Sequence, residues 1–497
     1  MRHRWTVIVL TVLVFAASVV AMKTVVVKQF FPSSNRPELM VDIWLPQGSS
    51  IEATRKVAER LQRELEQEKE LVRSMSLYVG QGAPRFFLAL NPEQPNPSYA
   101  SLVVVTKGLE AREALQRKLQ ARIDAGAFPE ARVRVQPLMF GPPVPWPVVF
   151  RVYGPDTQGM IELARRIRDR MMRYPQLIDP HLSWQFRAPV LHIRWDADRL
   201  SALGLTPAQV AEQLRGQLNG AVAGVVREDI RSTALRLRAG AGPHTDPARL
   251  GSLPIRLPDG TTVPLAHLGR LTVDEAWPYV ERRNRVRMVS VYAEVRPGVQ
   301  PPDITMKVWR DMQDLVGDLP PGWRVEIGGS VEESSKAQDS IKVGMPLMIL
   351  IATFLIMLYL RSFSGLIMTL LTAPLGLIGA VVALVGFQQP YGFVANLGVI
   401  ALGGILMRNT LILVAQINDN LRQGMAPAEA VIEATTLRAR PVLLTAAAAA
   451  LAFIPLTTSI FWGPMAYVLI GGVVVGTLIT LFFLPALYAA WYRVKTG

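Results

Sequence analysis

Leu397-GVIALGGILMRNTLILVAQIN-Asp419 is an apolar stretch with one full charge, Arg408, near its middle and Asn409 beside it. Its length is enough to cross a bilayer as a helix. A charged side chain at the centre of a membrane helix costs at least ~2.5–3.5 kcal/mol, a cost usually kept for a role. The stretch therefore predicts a polar partner inside a helical bundle, on an ion or proton path. The alternatives are an Arg that ties two helices together, or one that snorkels to the interface.

Working outward, the chain contains further apolar runs at Trp5–Met22, Val343–Leu360, Leu366–Phe387, Val442–Ile460 and Tyr467–Trp491. With Phe393–Ile417 around the quoted stretch, these predict six membrane spans. The first run follows a basic start and has small residues at Ala16-Ala17-Ser18, so a cleaved signal peptide is the alternative to a retained span. Arg361, Arg422, Arg438, Arg440, Arg493 and Lys495 fall on the side that holds Arg2 and Arg4. The opposite loops, Gln388-Gln389-Pro390 and Phe461–Pro464, carry no charge. This positive-inside pattern predicts that both termini are cytoplasmic. Gly376 with Ala380, Gly403-Gly404, Ala446–Ala450 and Gly472 with Gly476 predict close helix packing.

The composition excludes several classes. The 497 residues include no Cys, which removes disulfide and thiolate-metal chemistry, and five scattered His residues form no ligand cluster. The net charge of +14 is spread along the chain, with no basic tail that would mark a nucleic-acid binder. No nucleophile elbow, P-loop or dinucleotide fingerprint follows a strand, so enzyme chemistry is not expected.

Between the first and second spans, a strand, a turn rich in Gly or Pro, an amphipathic helix and a strand recur. The first copy is Leu39–Pro46, Gly48–Gln67 and Val72–Val79, its helix opened by Ser49 and Glu52 as a capping box. The second is Ala100–Thr106, a helix with Leu115, Leu119 and Ile123, and Ala131–Gln136. The third is Val148–Gly154, a helix with Met160, Leu163, Ile167 and Met171, and a strand Val190–Trp195. The fourth is Met288–Arg296, a helix with Val308, Met312 and Leu315, and Trp323–Gly328. Paired, they predict an α+β membrane protein with two ferredoxin-like β-α-β-β-α-β subdomains, the second interrupted by an insert. The predicted limits are 1–26 for the first membrane helix and 27–140 for the first subdomain. The second subdomain covers 141–195 and 284–340, the insert 196–283, and the five-helix bundle 341–497.

Several landmarks then resemble one family. They are Phe30-Phe31-Pro32 after the first span, Leu45-Pro46 with Gly48 after the first strand, Asp196–Thr206 opening the insert, and Arg361-Ser362-Phe363 between spans two and three. Gly404–Thr410 in the fourth span and Arg438, Arg440, Pro441 and Thr445 at the fifth complete the set. In this order they resemble the C-terminal half of a resistance–nodulation–division (RND) efflux pump. The resemblance implies an inner-membrane, proton-driven antiporter that exports hydrophobic or amphiphilic drugs, works as a trimer and uses no cofactor beyond the proton gradient. It also implies an N-terminal half, a periplasmic adaptor, an outer-membrane channel and the lipid bilayer as partners, with no nucleic acid, and makes the insert a docking domain. Arg408, Asn409, Arg438 and Thr445 take the proton-relay positions, with Arg408 where the family usually has Lys. Tyr78, Arg85, Phe86, Phe87 and Trp146 are the substrate-contact candidates.

The residues add something to the resemblance. No Asp or Glu lies within the six apolar runs, so the carboxylate that meets Arg408 is expected on another polypeptide, the N-terminal half. The chain is then either one product of a split pump or a fragment. Two competing readings stand beside drug export. One is a heavy-metal-exporting pump of the same superfamily, using Met40, Met75 and Met139. The other is a non-transporting membrane scaffold.

Overall fold

The computed structural model describes residues 3–29, 31–32, 34–184, 186–237 and 247–494. Met1, Arg2, Phe30 and Lys495, used in the sequence reading, lie outside the described residues. The chain divides into two compact units, Met1–Gln185 with Val280–Gly497, and Phe186–Tyr279.

The first unit begins with helix α1 (Arg4–Thr24) and continues as β1 (Glu38–Trp44), α2 (Ile51–Glu66), β2 (Val72–Val79), β3 (Tyr99–Thr106), α3 (Leu109–Asp124) and β4 (Arg132–Pro137). The four strands form one antiparallel sheet in the order β2-β3-β1-β4. Apolar positions of α2 three and four apart, Val57, Ala58, Leu61 and Leu65, pack with Leu115 and Leu119 of α3 onto Leu39, Val41, Ile43, Leu102 and Val104. Ser50, not Ser49, caps α2 by accepting from the Ala53 amide at 3.2 Å. Ser49 instead donates to the Pro46 carbonyl at 2.6 Å, so it closes the preceding turn.

Strand β5 (Val148–Tyr153), α4 (Thr157–Met171) and β6 (Leu177–Leu182) follow. Here the sequence reading is corrected. Val190–Trp195, expected to close the third repeat, belongs to the second unit. The sheet position is taken by β6, whose Asp179-Pro180 reads as a turn and hides the strand signal. Asp179 adopts a φ of 47°.

The second unit contains β7 (Ala188–Trp195), α5 (Ala197–Ala202), α6 (Pro207–Asn219), β8 (Ala221–Glu228), β9 (Arg231–Leu237), β10 (Pro254–Arg256), β11 (Thr262–Pro264) and β12 (Gly269–Ala276). β7 pairs with β12 along its whole length. Thr206 and Gln209 form a capping box at the start of α6 with Pro207 in its first turn, and Val210 and Leu214 bury against Leu200, Ile255 and Leu268. β8 and β9 form a hairpin that leaves Val225, Val226, Ile230 and Leu235 exposed.

The first unit resumes with the short ribbon β13 (Arg282–Arg283) and β14 (Val286–Arg287), then β15 (Val289–Val295), α7 (Pro301–Asp311), α8 (Gln313–Val316) and β16 (Arg324–Gly328). The second sheet has the order β16-β5-β15-β6, antiparallel throughout. Helix α9 (Gly329–Leu360) leaves that sheet directly. It is followed by α10 (Phe363–Thr372), α11 (Gly376–Gly386), α12 (Phe393–Arg422), α13 (Pro427–Phe453) and α14 (Gly463–Trp491). Among the described residues, six helices are long and apolar enough to cross a membrane, α10 and α11 counting as one interrupted span.

α14 is the centre of the bundle and packs on α1, α11, α12 and α13. Small residues make this possible. A Cβ on Gly379 would come within 2.1 Å of the Gly471 carbonyl oxygen, and one on Gly472 within 2.0 Å of Leu402. Arg4 donates to the carbonyls of Ala489 and Val494 at 2.8 and 2.9 Å, tying the start of α1 to the end of α14.

Gly379→Ala is expected to lower stability in detergent by about 1–3 kcal/mol, because the backbone opposite has nowhere to move. Gly386→Ala, whose added methyl meets nothing within 4 Å, should leave the thermal unfolding midpoint unchanged. Equal midpoints for the two variants would refute the close α11–α14 contact.

Candidate functional site

α12 turns once every 3.6 residues, so burying one face fixes the other. Leu402, Leu406, Asn409, Thr410 and Leu413 are buried in the bundle. Leu397, Ala401, Gly404 and Arg408 then fall at i, i+4, i+7 and i+11 on the opposite side, and all four are exposed. A Cβ on Gly404 would meet nothing within 4 Å. Arg408 makes no hydrogen bond or ion pair with any described residue. The expectation that the partner of Arg408 is not supplied by this chain's own spans is therefore compatible with this geometry. The register that buries Asn409 turns Arg408 outward.

The other relay candidates are not gathered around it. Asn409 Nδ2 donates inward to Thr477 Oγ1 at 3.3 Å, and Thr410 and Thr372 share a hydroxyl contact of 2.7 Å. Arg438 donates through Nε and Nη2 to Gln416 Oε1 at 3.0 and 2.7 Å. This ties α13 to α12 two turns beyond Arg408, roughly 12 Å along the axis. Thr445 donates to the Val442 carbonyl at 2.9 Å and lies at the surface of this chain.

A second set of polar groups lies outside the spans, at the two sheets of the first unit. Asp42 interrupts the apolar run of β1 and is buried. Its Oδ1 accepts from the Tyr99 hydroxyl at 2.5 Å and from Ser101 Oγ at 2.9 Å, and its Oδ2 from Gln136 Nε2 at 3.1 Å. Burial, reinforced by the Asp42 carboxylate, pushes the Tyr99 phenol far above its ordinary pKa. Glu93, on the loop between β2 and β3, keeps solvent access. The surrounding protein, together with the negative charges of Asp42 and Glu281, raises its pKa. Glu281 accepts from Ser290 Oγ and the Tyr292 hydroxyl, both at 3.2 Å. The charges of Asp42 and Glu281 thus both bear on Glu93.

The sheets are fastened next to them. Arg134 of β4 donates to Glu294 of β15 through Nε at 2.8 Å and Nη2 at 2.5 Å, and its guanidinium carbon lies 4.1 Å above the Trp146 ring. Arg132 pairs with Asp179. His181 sits edge-on to Trp146 at 4.6 Å. Burial first, then the nearby charge of Arg132, lowers its pKa to about 3, so it is neutral.

The substrate-contact candidates are scattered. Trp146 is enclosed between the sheets by Trp44, Tyr292 and His181. Tyr78 and Phe87 pack on Met40, Ala83, Val103 and Leu138. Arg85 donates to the Leu88 carbonyl at 2.6 Å, and Phe86 is exposed. The three methionines do not converge. Met40 lies opposite Val103 and Met75 opposite Val104, which places them on opposite faces of the sheet, and Met139 is exposed. No group of three or more His, Cys, Asp or Glu able to hold a metal ion occurs among the described residues. Sequence reasoning passed over Asp42, although a carboxylate inside an apolar strand was a legible signal. Glu93, in a Pro-rich loop, gave none.

The AcrB/AcrD/AcrF family profile matches residues 1–491. The chain belongs to this family, the RND transporters. Members are secondary transporters, not enzymes. The nickel-cobalt-cadmium resistance protein NccA of Alcaligenes xylosoxydans xylosoxydans is 31% identical over 360 residues, 68% of this chain and 32% of that protein. The nickel and cobalt resistance protein CnrA of Cupriavidus metallidurans is 31% identical over 364 residues, 70% of this chain and 33% of that protein. The cobalt-zinc-cadmium resistance protein CzcA of the same organism is 25% identical over 356 residues, covering 70% and 33%. Two crystal forms of a heavy metal efflux pump share the fold, with TM-scores of 0.74 and 0.73 at 23% and 22% identity, over 99% of this chain and 51% of theirs. The chain thus spans about a third of the curated RND relatives and about half of the solved chain. These relatives correct the expectation of a drug exporter, since they are metal-resistance proteins.

Burying His181 as the neutral form contributes stability that is fully present above pH 6.5 and is lost as pH falls from there toward about 3. The loss approaches about 1.4 kcal/mol per pH unit. His181→Phe keeps a ring against Trp146 and removes the titration. The gap between the two thermal midpoints, measured in detergent from pH 7.5 to 5, should shift in favour of the variant as pH falls. A gap independent of pH would contradict this account.

Proposed function

We propose that this chain is the C-terminal half of a proton-driven RND exporter of divalent heavy-metal cations. The observation that carries the reading is the likeness to metal-resistance proteins over 68% and 70% of this chain, and the candidate cation contact is Glu93, whose pKa is raised by burial and by the negative charges of Asp42 and Glu281. A carboxylate held among other negative charges gains from a divalent cation, whereas a hydrophobic drug gains nothing from it. The metal-resistance names of the relatives support the same class.

The proton step falls to the bare face of α12. Arg408 cannot be deprotonated at biological pH. It acts as a fixed counter-charge, paired with an intramembrane carboxylate of the N-terminal half when that group is ionised and released when it is protonated. Asn409 holds the register of α12 against α14, and Arg438, through Gln416, joins α13 to the same movement. Thr445 presents a hydroxyl on the exposed side of α13. The β-α-β-β-α-β order and strand arrangement of each sheet support two ferredoxin-like periplasmic subdomains. The second unit serves as a docking domain, its exposed hairpin residues Val225 and Ile230 meeting other protomers of a trimer, with an adaptor and an outer-membrane channel beyond. The bilayer surrounds the bundle, and both termini are cytoplasmic.

Vesicles holding this chain together with a six-span half that carries intramembrane aspartates are the test, with cobalt or zinc transport and proton flux both followed. The pair is expected to move the cation against a proton gradient and this chain alone to move neither. Arg408→Ala should abolish proton coupling, and Glu93→Gln should weaken cation affinity about tenfold, which is about 1.4 kcal/mol. Proton flux from this chain alone, or export of amphiphiles without metals, would overturn the reading.

A further inference from the structure

A row of aromatic rings joins the membrane bundle to the loop that carries Glu93. Phe393 is the first residue of α12, the helix of Arg408. Its ring centroid lies 5.5 Å from that of Phe31, which in turn lies 6.2 Å from Phe461 in the loop between α13 and α14. Phe461 lies 5.0 Å from Phe140, just beyond β4, and Phe140 lies 6.2 Å from Phe87. The guanidinium of Arg36 covers the far end, 5.5 Å from the centre of the Phe87 ring.

The backbone fixes both ends of this row. The Tyr391 amide, just before α12, donates to the Val27 carbonyl at 2.7 Å, and the Gln29 amide donates back to the Tyr391 carbonyl at 3.1 Å. A few residues on, the Ser34 amide donates to the Leu138 carbonyl at 2.7 Å and the Phe140 amide to the Pro32 carbonyl at 3.2 Å. Val27 and Gln29 are therefore held by the start of α12, and Pro32 and Ser34 by the exit of β4. Phe31 has no slack, because Gly141 has a φ of +94° and a Cβ there would come within 2.5 Å of the Phe31 ring.

Beyond Phe87 the loop is tied together by backbone hydrogen bonds. The Gly82 amide donates to the Glu93 carbonyl at 3.2 Å, the Leu90 amide to Phe87 at 3.1 Å, and the Asn96 amide to Gly80 at 2.9 Å. A Cβ on Gly82 would come within 2.6 Å of the Glu93 amide nitrogen. Close-packed contacts of this kind transmit displacement instead of absorbing it.

We propose that Phe31, Phe461 and Phe140 are positioning residues that couple the start of the Arg408 helix to the Glu93 loop, so that a shift of α12 moves Glu93. The role assigned to Glu93 rests on the reading of metal export, whereas the mechanical link does not. By reciprocity, a cation held at Glu93 biases the position of α12.

The chain contains no Cys, so nitroxide labels on Gln94→Cys and Gln388→Cys report one distance across the row in the full-length chain. Phe461→Ala should broaden the distance distribution about twofold, and Phe461→Leu, which keeps an apolar side chain and guards against a variant that fails to fold, should broaden it less. Phe387→Ala, which removes a ring tilted against Tyr467 at 4.7 Å outside the row, should leave the width unchanged. Phe140→Ala combined with Phe461→Ala should add little to either alone, since one break severs the link. Unchanged widths in Phe461→Leu and Phe140→Ala, or equal broadening by Phe387→Ala, would overturn the coupling. Loss of metal transport with an intact distance response would instead sink only the metal reading.

Discussion

A guanidinium that cannot give up its proton has to be matched by a carboxylate wherever water is excluded. Arg408 places that requirement on the side of α12 that this chain leaves bare. The rest of the membrane portion is arranged consistently with it. The interior is filled by α14 with its glycines and by a seam of buried hydroxyls, Thr369, Thr372, Thr410, Thr477 and Thr480, which satisfy themselves locally and need no ion. Charge is kept out of the packed interior of the bundle and appears, as Arg408, on the side that this chain leaves exposed.

The extramembrane sheets follow the opposite rule and concentrate their charges where two edges meet. β4 and β6 are the edge strands of their sheets. Arg132 and Arg134, two residues apart and therefore on one side of β4, reach across to Asp179 and Glu294. A sheet edge left open invites pairing with foreign strands, and here ion pairs and the Trp146 ring occupy the gap. The acceptors of Asp42 are saturated by three donors within its own sheet, while Glu93 and Glu281 keep capacity. The chain holds one carboxylate rigidly and offers the others.

Much of this was legible in the residues. Length and hydropathy located the spans, and the 3.6-residue period located α2, α4 and α7. The absence of a membrane carboxylate was plain from composition by position. Other features were not legible, for identifiable reasons. Which side Arg408 faces depends on which neighbours bury α12, and that is decided by Leu402 and Leu406 meeting Gly472 and Gly476 far along the chain. β6 was missed because Asp179-Pro180 imitates a turn. Drug export was expected from the resemblance and from aromatic candidates such as Phe86 and Trp146, and metals were sought in Met40, Met75 and Met139, while Glu93 and the two carboxylates that bear on it come from segments some fifty and nearly two hundred residues apart.

If the proposed N-terminal half supplies a facing helix, the stripe Leu397, Ala401, Gly404 and Arg408 also sets the terms on which it is captured. Ala401 and Gly404 let a backbone approach closely, and Arg408 adds a charge that is costly until it is matched. The free energy of closure therefore depends on local abundance of the complementary surface. A covalent tether would supply an effective concentration near the millimolar range, so that a modest contact is enough. On the proposed reading, a surface arriving on a separate polypeptide would have to find this stripe by lateral diffusion in the bilayer, and the same few residues would then set how scarce it can become before closure fails.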